Sequence, residues 1–235
     1  MVRLLVLLLL ALPAVARTQC GCPADDFMAY QTNTESVVNS IQHVNTVFGT
    51  GDVDVVKLHR VLTPVDLNGM NPGAPGDNIH FAGFETSNVS FPKFAVPNRT
   101  FTTDLGMVDF RAAQIRFLYD PCTKVVGPTP GPPPVSGLAF LCWVAGTGSN
   151  GPKLTADCDD QFGDFQAQVL RVAYACLAVG LGATPAPPEQ WFVCLSERGA
   201  HQPPNVSLDT LDFGTFPNVN LASPDEICLN VSAFH

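Results

Sequence analysis

Eight cysteines behind an apolar leader are the feature that most constrains the fold of this chain. Residues Met1 to Ala16 combine a basic Arg3, an apolar run from Leu4 to Leu12 and a small-residue end, Ala14-Val15-Ala16, that suits a cleavage site. The run is too short to span a bilayer. We therefore predict a signal peptide over residues 1–16 and secretion into an oxidising extracellular compartment, where thiols form disulfide bonds.

The cysteines all lie in the predicted mature part, and an even number permits complete pairing whose connectivity the sequence does not choose. Cys20 and Cys22 are too close in the chain for an unstrained mutual bond, so we expect them to pair with the Cys122–Cys228 region. Cys122 and Cys142 are a candidate pair. Without a Cys-x-x-Cys motif or a histidine pair of ligand spacing, disulfides are favoured over zinc. The predicted disulfide cysteines are Cys20, Cys22, Cys122, Cys142, Cys158, Cys176, Cys194 and Cys228.

The net charge of −9 and the scarcity of lysine argue against nucleic acid or an anionic membrane as a partner. An acidic surface could attract a basic partner, although solubility is the simpler explanation.

Sequons at Asn88, Asn98, Asn205 and Asn230 predict a glycosylated surface. No apolar tail follows Asn230, so we expect a freely secreted protein without a membrane span.

Two segments have the spacing of helices. The apolar side chains from Asp26 to Phe48 recur at intervals of three and four and stop before Gly49, which predicts a helix packed on the core, with a coiled coil as the alternative. The segment Asp164 to Val179 has a similar spacing and is followed by Gly180. Its first half also alternates like a strand, but its length and the glycine favour a helix.

The composition of the segments outside the two predicted helices indicates short strands separated by turns. Val53 and Val55 alternate with aspartates, apolar runs occur at 135–145 and 190–195, and Asn68 to Asn78 has the composition of an exposed loop. The proline-rich stretch 127–134 is a stiff loop or a subdomain boundary. We predict a mainly β fold with α, an antiparallel sheet or sandwich core with one or two packed helices, in one disulfide-stapled domain over 17–235; an α+β fold is the alternative.

Few residues suggest chemistry. Asp157, Asp159, Asp160 and Asp164 crowd one segment and are weak candidates for calcium, with a solvated acidic loop as the simpler interpretation. Gly146 to Gly151 matches G-x-G-x-x-G, but proline follows and we expect a loop without a nucleotide cofactor.

Histidines and paired acids give no catalytic motif. His59 could act as a general acid or base in a cleft, but a surface role is the simpler expectation. Asp52 and Asp54 point one way on a strand and would form a glycosidase pair only if the fold supplied the geometry. We assign no catalytic or cofactor-binding residue.

The element Tyr174-Ala-Cys176 resembles the Tyr-x-Cys element of immunoglobulin domains, with Cys142 as its possible partner. Two features depart from that pattern: Trp143 directly follows its cysteine, and the interval to Cys176 is short for such a domain. We therefore interpret the resemblance as coincidental.

The absence of catalytic motifs, together with disulfides, sequons and stiff loops, favours a secreted, non-catalytic glycoprotein that binds an extracellular protein or glycan, with a basic protein as one candidate ligand. A secreted hydrolase of carbohydrates or esters is the second hypothesis, because a fold can gather catalytic residues that are distant in sequence. A structural wall or coat component is the third.

Overall fold

The computed structural model of the chain describes residues 26–76, 78–92, 96, 98–134 and 136–235. The predicted signal peptide, Cys20 and Cys22 lie outside these residues. The described chain forms antiparallel strands, and its only helical element is the three-residue 3-10 turn Ala74–Gly76. The strands are β1 Asp26–Thr46, β2 Gly49–Leu67, β3 His80–Asn88, β4 Arg99–Thr103, β5 Gly106–Phe110, β6 Ala112–Val126, β7 Ala139–Ala145, β8 Thr155–Asp160, β9 Gly163–Leu181, β10 Trp191–Arg198, β11 Val206–Thr210, β12 Thr215–Val219, β13 Leu221–Asn230 and β14 Ala233–Phe234.

Eight of these strands close into a barrel. Neighbours in the order β1, β2, β3, β6, β7, β9, β10 and β13 are paired antiparallel, and β13 pairs back onto β1. Order around the ring therefore follows order along the chain, as in an up-and-down barrel. The antiparallel β core predicted from the sequence is confirmed.

Alternate side chains of the ring fill the barrel interior, which we call the lumen. Phe27, Phe81, Phe140 and Phe192 come from every second strand of the ring and contact one another with centroids between 4.6 and 5.6 Å apart. Layers built from alternate strands are the usual filling of small barrels. This Phe layer blocks one part of the lumen with apolar side chains.

Two disulfides lie in the lumen beside the Phe layer. Cys142–Cys176 joins β7 to β9, and Cys194–Cys228 joins β10 to β13, each between directly opposed residues. The pairing of Cys122 with Cys142 predicted above is therefore wrong. The first bridge contains the Tyr-x-Cys cysteine, but it joins neighbouring strands of one barrel, whereas the immunoglobulin bridge joins two sheets.

The outer face of the barrel is also apolar, and the remaining elements cover much of it. Phe101 of β4 contacts Trp191 of β10 with centroids 5.3 Å apart. Val206 of β11 and Cys158 of β8 belong to the same outer cluster as Met28 and Leu177 of the barrel wall. The wall is thus buried on both faces along much of its length.

The predicted helix from Asp26 to Phe48 is wrong, because this segment is mostly β1. Phe27 faces the lumen while Tyr30 lies in the outer cluster, so the apparent stripe combines two faces. Irregularities in the pairing with β2, one at Asn39 with φ of 51°, insert extra residues. Because a bulge adds residues to one strand, the spacing between buried residues there becomes larger than the two residues of a regular strand and resembles that of a helix.

The second predicted helix, Asp164 to Val179, is also wrong and lies in β9. Cys176 faces the lumen, whereas Ala175 and Leu177 belong to the outer cluster, and all three are buried. A strand buried on both faces loses its polar alternation. The spacing of its apolar residues alone therefore does not distinguish such a strand from a buried helix.

Candidate functional site

The lumen opens into a cleft of about 670 Å³ on the side away from the Phe layer. Two buried residues, Arg60 and Glu226, line it together with the partly exposed Tyr174, Ser196 and Asp225. A cleft of this size at the mouth of a barrel is a common place for a small ligand. We call this feature the barrel mouth.

At the barrel mouth, one buried cation is hydrogen-bonded to two acids. Arg60 is 3 % exposed, and its guanidinium donates to Glu226 at 2.7 Å and to Asp225 at 2.8 Å. It also lies over the Phe117 ring, 4.5 Å from the centroid. Burial opposes the charge on Arg60, but the Glu226 carboxylate holds its pKa above the usual range. Burial raises the pKa of Glu226 to about 8, against the influence of Arg60.

A second feature is a line of three aspartates across neighbouring strands, which we call the carboxylate row. Asp66 of β2 lies opposite Asp159 of β8, and Asp159 lies opposite Asp164 of β9. The three line a cleft of about 300 Å³ together with Asp157. Slight desolvation, with the hydrogen bond and charge of Asp164, raises the pKa of the exposed Asp159.

The acids of the carboxylate row are not ion-paired to a cation among the described residues. The polar contact recorded for Asp66 is a bond from the backbone N–H of Asn71 to its Oδ1, at 2.7 Å. Like charges placed directly opposite each other across strands are destabilising. The row therefore places three acids side by side, and the hydrogen bond between Asp159 and Asp164 with the raised pKa of Asp159 reflects their proximity.

The calcium candidates do not converge on one point. Asp157, Asp159 and Asp164 are exposed on one face of the β8–β9 hairpin, whereas Asp160 is buried on the other face, where the Tyr30 hydroxyl donates to it. Among the described residues, only Cys194, Glu226 and Cys228 place ligand atoms close enough to share an ion, and those cysteines form a disulfide.

The other sequence candidates are dispersed. His59 stacks on Phe117 with centroids 5.3 Å apart, and burial lowers its pKa. Asp52 accepts from His43 at 2.8 Å, away from the barrel mouth. The Gly146–Gly151 segment connects β7 to β8 without a following helix, and its first residues line the mouth.

The four sequons occupy two kinds of position. Asn88 and Asn98 are exposed and border a cleft of about 850 Å³ between β3 and β6. Asn205 and Asn230 are partly buried, and the side chain of Asn205 donates to Asn218 at 3.0 Å. Glycosylation at all four stays a prediction.

Sequence reasoning missed Arg60, Glu226 and Asp66 as parts of these features. The partners of Arg60 lie 165 and 166 residues further along the chain, so no local motif joins them. The sequence contained one signal for Asp66. It is an acid near the end of β2, and β8, the strand that pairs with this end, is rich in acids.

Comparison with protein-family models, with curated proteins and with solved structures found no match. Within the described residues, no helix has the length and apolar character needed to cross a membrane.

Proposed function

We propose that this chain is a secreted, non-catalytic glycoprotein that binds a basic extracellular protein through the carboxylate row. The observation that carries the proposal is the alignment of Asp66, Asp159 and Asp164 across three strands without an ion-paired cation among the described residues. Lysine or arginine side chains of a partner would supply the missing charge.

The net charge of −9 adds to this local effect. Long-range attraction increases the rate at which a basic partner arrives, and complementary charges then fix its orientation. Two acids of the row are exposed on a hairpin held by regular pairing, so a partner can reach them without rearrangement of the barrel.

The test is a comparison of two charge-matched variants of the full secreted chain. The immobilised protein is exposed to extracellular fluid, and the retained basic proteins are purified for affinity measurement. We expect Asp159→Asn/Asp164→Asn to weaken binding at least about tenfold, corresponding to about 1.4 kcal/mol. Asp54→Asn/Asp104→Asn removes the same charge elsewhere and serves as the control.

Equal loss of affinity in both double variants would show that net charge alone drives binding and would contradict a role for the row. Retention of no basic protein above a denatured control would contradict the binding function itself. Affinity should also fall with rising salt, because exposed charges are screened.

A second candidate function, a secreted hydrolase, is favoured by the presence of Asp225 and Glu226 in the barrel mouth. A carboxyl group with a raised pKa suits a general acid, but Arg60 donates to both groups and reduces their availability for proton transfer. Hydrolysis of glycoside or ester substrates by the wild type, lost in Glu226→Gln, would support this alternative; an inactive wild type would remove it.

A further inference from the structure

The barrel wall opens where β3 and β6 separate. The pairing between these strands ends at Glu85 and Phe117, although β3 continues to Asn88 and β6 begins at Ala112. Beyond that point, among the described strands, β3 pairs only with β2 and β6 only with β7. An unpaired strand edge presents free backbone N–H and C=O groups. Two such edges therefore border the cleft of about 850 Å³ between β3 and β6.

The side chains that line this cleft are both apolar and polar. Ile115 and Trp143, which are 7 % and 5 % exposed, supply apolar contact area. Ser87 and Gln114 add a hydroxyl and an amide group. Thr86 also lines the cleft and is 4 % exposed, and its Oγ1 has no hydrogen-bond partner among the described residues. A buried hydroxyl without a partner is unfavourable, so a ligand that reaches Thr86 would satisfy a group that the fold leaves open.

The charge of the cleft selects the kind of ligand. Arg116 is the one charged side chain among the described residues that line it, and it donates to Glu85 at 2.9 Å. A neutral ligand with an apolar surface and several hydrogen-bonding groups suits such a cleft better than a basic or acidic protein segment does. An N-acetylhexosamine is a ligand of this kind, because it combines C–H groups on its ring with hydroxyls and an amide.

Asn88 offers a covalent anchor for such a sugar at the border of the cleft. It is exposed and begins the sequon Asn88-Val89-Ser90. Its Oδ1 accepts from the backbone N–H of Phe91 at 2.7 Å, and its Nδ2 donates to the Phe91 carbonyl at 3.0 Å. Attachment of a sugar replaces one of the two Nδ2 hydrogens and leaves the Oδ1 bond in place. The substituted side chain therefore stays held beside the cleft.

The spacing along β3 brings the attached sugar to the open hydroxyl. Thr86 lies two residues before Asn88, and alternate residues of a strand share a face about 7 Å apart. A sugar ring with its substituents spans such a distance. Because the tether gives the sugar a high effective concentration, contacts too weak to hold a free sugar are sufficient to keep it in the cleft.

We propose that an N-linked glycan on Asn88 occupies the cleft between β3 and β6. Its first N-acetylhexosamine packs against Ile115 and Trp143 and hydrogen-bonds to Thr86 and to the two open strand edges. In the transfer step, Nδ2 forms a bond to C1 of this sugar, and the bond from C1 to the diphosphate of a lipid-linked donor breaks. The electron pair of that bond leaves on the diphosphate, and the Nδ2 proton passes to a base of the transferase. This site requires the secretion and glycosylation proposed above, but not the carboxylate row.

Peptide mapping of the full secreted chain tests whether Asn88 carries the glycan. Trypsin places Asn88 and Asn98 in different peptides, residues 61–93 and residues 94–99. We expect a glycan on the peptide 61–93. An unmodified Asn88 in the secreted chain would overturn the proposal and leave the binding function untouched. A chain that is not secreted would contradict both.

Amide hydrogen exchange then tests where the glycan lies. Asn88→Gln should accelerate exchange in residues 112–116 by about tenfold, the effect of losing one or two hydrogen bonds. Ser90→Ala removes the same sequon without changing Asn88 and should have the same effect. Asn98→Gln, which removes the other sequon at the border of the cleft, is the matched control and should leave this segment unchanged.

Trimming the glycan to its first sugar with an endoglycosidase should preserve the slow exchange, because that sugar makes the contacts. If neither Asn88→Gln nor Ser90→Ala is secreted, the native wild type before and after complete enzymatic release of the glycan gives the same comparison. Unchanged exchange on loss of the Asn88 glycan, lost protection after trimming, or an equal effect of Asn98→Gln would overturn the proposal.

Discussion

The barrel mouth and the carboxylate row are built from the same acidic residue type but differ in how charge is compensated. At the mouth, one buried guanidinium donates to both Asp225 and Glu226. In the row, Asp159 faces two acids and has no described ion-pair partner. Internal matching suits a stabilising role in the fold, whereas unmatched exposed charge is available to a partner. The comparison therefore separates a site suited to stabilising the fold from the site that we propose for recognition.

Removal of the cation from the barrel mouth should have the largest effect. Arg60→Met keeps much of the side-chain volume but leaves Glu226 buried without its partner. Breaking one side of a buried ion pair costs about 3–5 kcal/mol. Urea unfolding measures the loss in free energy of unfolding, and Arg171→Met, an exposed arginine beside the mouth, is the control. A loss below about 1 kcal/mol would show that the mouth does not depend on matched charge.

A smaller effect is expected at Gly83, where the backbone of β3 lies against the side chains of Tyr119 and Arg60. A Cβ on Gly83 would lie 2.6 Å from the Tyr119 ring and 3.0 Å from the Arg60 side chain. Gly83→Ala should therefore cost about 1–3 kcal/mol, as overpacked cores do. Gly73→Ala, in the exposed loop after β2, is the control. Unchanged stability of Gly83→Ala would mean that the lumen can rearrange around the added methyl group.

Glu197 extends the comparison to a buried acid that has no matching cation. It is 6 % exposed, and neither carboxylate oxygen has a hydrogen-bond partner among the residues that the structure describes. Burial, followed by the charge of Asp225, raises its pKa from 4.5 to about 8. Between these values the folded chain holds a proton that the unfolded chain has released, so stability should fall as pH rises from about 4.5 to about 8.

Thermal unfolding across this range checks the expectation. Glu197→Gln removes the titrating group and should reduce the fall by about 1–3 kcal/mol, because each unit of pKa difference corresponds to at most about 1.4 kcal/mol and solvent screening lowers this value. Burial also raises the pKa values of Glu226 and Asp120 to about 8. These two acids should therefore maintain part of the decrease in stability with rising pH in the Glu197→Gln variant. Asp104→Asn, an exposed control, should leave the profile unchanged. A profile that rises towards pH 8 in the wild type would contradict this account.

The smallest effect is expected in the carboxylate row. Asp159→Asn removes the central charge and should increase stability by about 0.2–1 kcal/mol at neutral pH, because it relieves cross-strand repulsion. Chemical denaturation at low and high salt measures the gain, which should shrink as salt screens the charges. Destabilisation by this variant would indicate that the row already has a compensating group in the protein.

Local sequence patterns predicted several strands and turns correctly. Val53 and Val55 are buried while Asp52 and Asp54 are less so, as their alternation indicates. The Asn68-Gly69 pair has positive φ angles of 55° and 70°, which these residue types tolerate, and the chain turns there. Such features depend on neighbours in the sequence and are therefore accessible from it.

The errors arose where two faces of a strand are both buried or where a bulge shifts the alternation. β9 is apolar on both faces around Cys176, and β1 is irregular around Asn39, so each imitates the spacing of a helix. The disulfide partner of Cys142 was likewise not determined by loop composition, because strand register brings Cys176 opposite it.

The sequence by itself determined an antiparallel β core, its main turns and the unequal distribution of cysteines between the start and the second half of the chain. Tertiary structure decided that eight strands close into a ring, that Arg60 meets Glu226 and that Asp66 joins the acids of β8 and β9. The physical reason is that local propensity acts over a few residues. Strand register brings together side chains that are more than a hundred residues apart.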